Sequence, residues 1–293
     1  MKFSLWPSPT HTPAEVLEEA RWADDNGWYS LYFADHYMPD TGTTEVKSGP
    51  TLECWAILPA VAAVTNNIRL GSHVSPTSVH HPAVLANRAA TLDQLSQGRL
   101  TLGLGAGWQI NEHAAYGIPL DPPGPRVSRF EEAIQVIRSL LREERTTFHG
   151  AYYDIADAPS EPKPVQSPLP LLVGTQGDRM LKITARFADR WNCWGNPTSV
   201  LANRDRLFDA CEQVGRDPKD FWTTANAMVA PGSDPVPGRP LLGGSSSQLV
   251  DQLGQYAAGG LEEFILPDWN FGQSTAERID NLSKLKAEVL DQV

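Results

Sequence analysis

Ile68-Arg-Leu-Gly-Ser-His-Val74, then Pro82-Ala-Val-Leu-Ala-Asn-Arg-Ala-Ala-Thr-Leu-Asp-Gln-Leu95, then Leu100-Thr-Leu-Gly-Leu104 read as strand, helix and strand. The outer runs are short and aliphatic, while the middle one opens on a proline and is stopped by Gly98. Such a unit predicts two parallel strands joined by a crossover helix. The pattern continues in both directions. Towards the amino terminus lie a strand at Lys2–Trp6, a helix from Pro13 through Val16, Leu17, Ala20 and Ala23 to Gly27, a strand at Ser30–Phe33 and a helix at Thr51–Val64. Beyond the quoted stretch come a helix at Phe130–Leu141, then Leu171–Gly174 with Met180–Ala188, Arg190–Trp194 with Val200–Val214, Trp222–Val229 with Ser247–Ala258, and Glu263–Leu266 with Ala276–Leu290. Eight such pairs in 293 residues predict a single α/β domain over residues 1–293, a (β/α)8 TIM barrel. Loop insertions are expected after strands four and seven. Thr146–Ile155 alternates like a small hairpin around His149-Gly150, and Pro231–Gly244 is a Pro/Gly loop that is either a lid or a surface connection.

Composition narrows the function. Lys and Arg number 24 against 35 Asp and Glu, a net charge of −11, and the basic residues are scattered, which argues against nucleic acid as a partner. No segment approaches the roughly 18 apolar residues of a membrane span, so a chain without membrane partners and with a cytoplasmic home is expected. Cys54, Cys193 and Cys211 show no CxxC spacing and predict neither a disulfide framework nor a zinc site.

In a barrel of this kind the loops after the strands carry the chemistry. Strand two ends in Ala34-Asp-His-Tyr37, where Asp35 and His36 alternate, so one faces the barrel mouth and the other orients it. A histidine there can exchange a proton near neutral pH. His73, His80 and His81 lack an acidic partner at ligand spacing, so no metal is expected. Leu102-Gly-Leu-Gly-Ala-Gly-Trp108 lacks the G-x-G-x-x-G spacing of a dinucleotide fingerprint; Gly103, Gly105 and Gly107 either admit a flat ring or form a small-residue barrel layer. Gly174-Thr-Gln-Gly-Asp178 precedes a helix and offers either free amides for a phosphate or ordinary capping by Thr175 or Asp178.

Taken together, Phe33-Ala-Asp-His-Tyr37, Leu70-Gly-Ser-His-Val74, His81-Pro-Ala-Val-Leu-Ala86, Thr91-Leu-Asp-Gln-Leu-Ser-Gln-Gly-Arg99, Leu102-Gly-Leu-Gly-Ala-Gly-Trp108, Leu172-Val-Gly-Thr-Gln-Gly177 and Ala185-Arg-Phe-Ala-Asp-Arg-Trp-Asn192 resemble the bacterial luciferase-like superfamily, in particular its branch dependent on the deazaflavin coenzyme F-420. The resemblance implies hydride transfer between reduced F-420 and a small organic substrate. It assigns Asp35 and His36 to catalysis beside the ring. It assigns Ser72, His73 and Val74, with a cis peptide at His73–Val74, to the ring's rear face, and Gly105, Ala106, Gly107 and Asn111 to the ring and its side chain. Gly174, Thr175, Gln176 and Gly177 become the phosphate cradle. It also implies a homodimer through the helices after strands two and three, where Trp55, Ile57 and Leu58 serve that contact or the core. Two departures stand out. The first loop is Pro7-Ser-Pro-Thr10 and position 108 is Trp where several relatives carry acids, leaving His36 or Glu112 for proton transfer, and no cluster of Lys and Arg offers a pocket for sugar phosphates. An FMN-dependent monooxygenase served by a separate reductase is the alternative enzyme, and a flavin-binding barrel without turnover the alternative outside catalysis.

Overall fold

The structure, a computed structural model, describes residues 1–234 and 240–293. Its elements are β1 Lys2–Trp6, α1 Pro13–Asp25, β2 Ser30–Phe33, α2 Cys54–Val64, β3 Arg69–Ser72, β4 Ser75–Pro76, α3 Pro82–Leu95, β5 Leu100–Gly105, α4 Ile110–Tyr116, α5 Pro123–Arg142, β6 Arg145–His149, β7 Asp154–Pro159, β8 Leu171–Gly174, α6 Asp178–Phe187, β9 Arg190–Trp194, α7 Pro197–Gln213, β10 Trp222–Asn226, β11 Met228–Pro231, β12 Leu241–Gly244, α8 Ser246–Ala258, β13 Glu263–Pro267 and α9 Thr275–Glu288. The main sheet runs β3-β2-β1-β13-β10-β9-β8-β5-β4, and a further pairing of β3 with β5 closes it. With β3 and β4 as two pieces of one barrel strand, this is the expected (β/α)8 barrel.

The chain gathers into two compact units. The first comprises Met1–Ser8, Ala14–Tyr32 and Thr175–Val293, the second Pro9–Pro13 and Phe33–Gly174. In the first, Leu5, Leu31, Trp191, Leu207, Leu253 and Phe264 are completely buried. Leu58, Leu70, Leu85, Leu102, Phe130 and Ile137 hold the same place in the second. Local chemistry places the helix starts: Glu53 caps α2 by accepting from the Ala56 amide, and Ser245 with Gln248 and Ser274 with Glu277 form capping boxes on α8 and α9.

Three expectations are corrected. The third strand, expected over Ile68–Val74, is split into β3 and β4 about a cis peptide at His73–Val74. The seventh ends at Asn226, because Met228–Pro231 pairs instead with Leu241–Gly244 in a separate two-stranded sheet. The insertion expected as loop after strand four holds a short helix, α4. The hairpin forms as β6 and β7 and extends to Pro159. A lid over Pro231–Gly244 falls partly on residues 235–239, outside the described residues. Among the described residues no helix is long and apolar enough to cross a membrane.

Within the first unit, strands β1, β13, β10 and β9 present a polar layer to one face. Glu263 accepts from Ser4 Oγ at 2.6 Å and Trp222 Nε1 at 2.9 Å, and lies 3.6 Å from Arg190 Nη1. Burial pushes its carboxyl above the ordinary carboxylate range, and these partners oppose the shift. One step further along the strands, Asn192 Nδ2 donates to Thr224 Oγ1 at 2.9 Å. By the same two-residue period, Trp6, Pro267, Asn226 and Trp194 follow on that face at the strands' C-terminal ends.

A buried acid elsewhere in this unit makes stability depend on pH. Glu19 of α1 is completely buried beside Arg278, and burial, with the nearby Asp268 carboxylate, raises its pKa from 4.5 to about 8 against the pull of Arg278. The unfolded chain releases this proton near 4.5 whereas the folded chain keeps it to about 8, so the group lowers stability as pH rises through that window. Melting temperature is therefore expected to fall from pH 5 to pH 8, and to fall less in Glu19→Gln, which is uncharged throughout. An equal slope in the variant would refute this assignment.

Candidate active site

In the second unit the chain leaves β2 at Phe33 and immediately presents its two titratable residues in different surroundings. Asp35 is completely buried. Its Oδ2 accepts from Trp55 Nε1 at 3.0 Å and Ser75 Oγ at 2.6 Å, and lies 2.9 Å from His80 Nε2. The carboxylate thus ties α2 to β4 and to the turn before α3. The expectation that it orients His36 is corrected: three polar partners from other elements claim it, and it offers no exposed oxygen to a reactant. Trp55 belongs to this buried network, and Leu58 to the core. His81 caps α3 through the Ala83 amide.

His36 points the other way. Its side chain is 21% exposed, and Nδ1 lies 3.0 Å from Oε1 of Glu112, which is 1% exposed. The other oxygen of Glu112 accepts the Tyr37 amide at 2.9 Å. A carboxylate only accepts, so it keeps the proton on Nδ1 of neutral His36 and leaves Nε2 as the site where a proton is taken or given. The Trp108 ring meets the His36 ring edge-on at 5.5 Å. Glu112 is carried by α4, so the acid missing at position 108 stands one helical turn later.

Helix α4 is held by its own polar residues. Gln109 donates to the Met38 carbonyl and Asn111 to the Pro39 carbonyl, each at 2.9 Å, while Asn111 Oδ1 accepts the Glu112 amide. Asn111, expected to line a cofactor, is instead completely spent on docking this helix against the 38–45 segment and is buried. The sequence carries no sign of this pairing, because Gln109 and Asn111 find carbonyls some seventy positions away.

The glycines of β5 admit backbone. A Cβ on Gly103 would stand 2.0 Å from the Ser72 carbonyl oxygen, and one on Gly105 2.8 Å from Val74 Cγ2. Gly107 has φ +90, and its Cβ would meet Ser78 Oγ. Both readings of the glycine run are therefore joined in an altered form: the missing side chains seat the 72–74 segment, and Val74 rather than bare glycine forms the surface. Ser72 and His73 are buried, whereas Val74, Ala106 and Gly107 are half-buried. This strip of small groups fits one face of a flat ring.

The turn after β8 is tied by backbone. The Thr175 amide donates to the Asn192 carbonyl at 3.1 Å, Trp191 Nε1 to the Thr175 carbonyl at 2.9 Å, and Gln176 Nε2 to the Trp194 carbonyl at 2.7 Å. Helix α6 then starts behind Gly177 with no side-chain cap. Thr175 Oγ1 accepts the amide of the N-cap residue Gly177 at 3.4 Å, while no side chain of the N-cap itself closes the first turn of α6, whose amides fit an anionic group. Cys193 is buried, and burial pushes its thiol up to about 12, so it stays protonated near neutral pH and is no nucleophile.

An uncharacterized protein of Mycobacterium tuberculosis is 33% identical over 219 residues, covering 70% of this chain and 76% of its own length. An F420-dependent glucose-6-phosphate dehydrogenase of Kineococcus radiotolerans is 36% identical over 228 residues, covering 76% of this chain and 66% of that one. Among solved structures, an F420-dependent secondary alcohol dehydrogenase in complex with an F420-acetone adduct superposes with a TM-score of 0.84 over 98% of both chains, at 18% identity, and so shares the fold. The family model described as luciferase-like monooxygenase matches residues 1–236, and the chain belongs to that family.

Proposed function

We propose that the chain is an oxidoreductase that binds coenzyme F-420 and exchanges hydride with a small organic substrate. One observation carries the reading: His36 is fixed by the buried Glu112 carboxylate with Nε2 turned away from it, in the unit that also holds the half-buried strip of Val74, Ala106 and Gly107. The named relative that depends on F-420 and shares 36% identity supports the choice of coenzyme. Bound, F-420 supplies a two-electron hydride carrier. Val74, Ala106 and Gly107 would support its ring. Asp35 acts as a positioning residue, because its bond to Ser75 fixes the end of the segment on which Val74 sits. His36 Nε2 accepts or donates the proton that accompanies hydride transfer. Glu112 steadies the imidazolium when that proton is held.

Titration of the protein with oxidised F-420, followed by coenzyme fluorescence, is the direct test. Saturable binding is expected, with FMN binding far more weakly. Absence of any affinity for F-420, or oxygen uptake with reduced FMN in its place, would overturn the proposal.

A further inference from the structure

Three tryptophans from distant points of the chain meet in the first unit. Trp6 ends β1, Trp194 ends β9, and Trp269 follows β13. The Trp6 ring stands edge-on to Trp194 at 6.1 Å and to Trp269 at 5.0 Å, while Trp194 and Trp269 are stacked at 6.5 Å with 24° between their planes. Trp6 and Trp194 are half-buried and Trp269 is 42% exposed. Large aromatics of this kind normally belong in a core, yet these gather at the C-terminal ends of parallel strands, the end at which barrels of this fold bind their ligands.

A second observation points the same way. Asn226 ends β10, in register with Trp194 on one side and Ile265 on the other. It is 2% exposed, and its Oδ1 has no hydrogen-bond partner among the described residues. A buried amide oxygen left without a donor is unfavourable, and a ligand's N–H or O–H would satisfy it. Charge selects further. Arg278, which reaches Asp268 beside Trp269, is 1% exposed and held by Glu15, Glu19 and Asp268. Arg190, lower on the same face, is paired with Glu263. Arg278 and Arg190 are thus each committed to carboxylates, which leaves these two described cations poor partners for a phosphate.

We infer that Trp6, Trp194 and Trp269, with Asn226, form a substrate-binding site for an uncharged, flat, largely apolar ring molecule carrying one N–H or O–H donor. The inference rests on the oxidoreductase reading for the word substrate, but the binding itself does not require the coenzyme. It also separates this chain from the sugar-phosphate activity named for its relative.

The test uses the whole chain without coenzyme, labelled with 15N so that each indole N–H gives a resolved signal. 2-Naphthol serves as the probe, naphthalene as its counterpart without a donor, and glucose 6-phosphate as the charged control. 2-Naphthol is expected to shift the Trp6, Trp194 and Trp269 signals saturably, and glucose 6-phosphate to leave them in place. Trp269→Ala, at an exposed position that does not threaten folding, should raise the 2-naphthol Kd at least tenfold. Asn226→Leu, checked for an unchanged melting temperature, should erase the preference for 2-naphthol over naphthalene. Unmoved tryptophan signals, equal shifts by glucose 6-phosphate, or an unchanged Kd in Trp269→Ala would each overturn the site. Failure of F-420 binding with 2-naphthol binding intact would remove the coenzyme and leave the site standing.

Discussion

Replacing His36 by alanine is expected to lower kcat by roughly 10²–10⁴-fold for any substrate that the wild type turns over, with F-420 affinity unchanged. The size follows from the task given to the side chain. Hydride transfer to or from carbon moves a charge that a proton must balance, and His36, just beyond the C-terminal end of β2, combines partial exposure with a fixed tautomer. Glu112→Gln separates proton transfer from mere packing. The amide retains the shape of the carboxylate but not its charge, so it should lower kcat less than the loss of the ring. A His36→Ala enzyme within a few-fold of wild type, or a Glu112→Gln enzyme as slow as His36→Ala, would remove this division of roles.

How far the site is legible in the sequence depends on the range over which its residues find each other. The barrel strands are readable because each is a short apolar run in a fixed alternation with helices, and Leu171–Gly174 and Arg190–Trp194 have the expected bounds. The end of strand two is half readable. Period two says that Asp35 and His36 face opposite ways, but which of them is buried is decided by Trp55, Ser75 and His80, 20 to 45 positions away. Helix α4 is unreadable, since seven residues hold too few turns for an amphipathic period and its anchors are carbonyls of another loop. The tryptophan cluster joins positions 6, 194 and 269, which no local pattern connects. What local periodicity encodes is visible, and what tertiary pairing encodes is not.

The glycines of β5 are where that difference can be measured most sharply. Gly103→Ala is expected to destabilise the fold by roughly 3 kcal/mol or more, the upper end of overpacking costs, and to lower the melting temperature by roughly 6–12 °C. Its Cβ would lie 2.0 Å from the Ser72 carbonyl oxygen and 3.0 Å from the carbonyl carbon, both backbone atoms. That backbone cannot step aside cheaply, because Ser72 Oγ donates to the Gly103 carbonyl at 2.9 Å and accepts the Gly103 amide at 3.1 Å. Relief would require breaking both bonds inside a fully buried strand. Gly105→Ala meets a different obstacle, for the atom 2.8 Å from its Cβ is Val74 Cγ2, the end of a half-buried side chain that can turn outward. The second variant should therefore melt close to the wild type while weakening F-420, since Val74 would rise from the surface on which the ring is proposed to rest. Thermal denaturation and coenzyme titration of the two variants side by side discriminate the cases. Equal melting temperatures would show that the 72–74 segment does not need the close approach at Gly103. A Gly105→Ala protein with full F-420 affinity would show that the ring lies elsewhere.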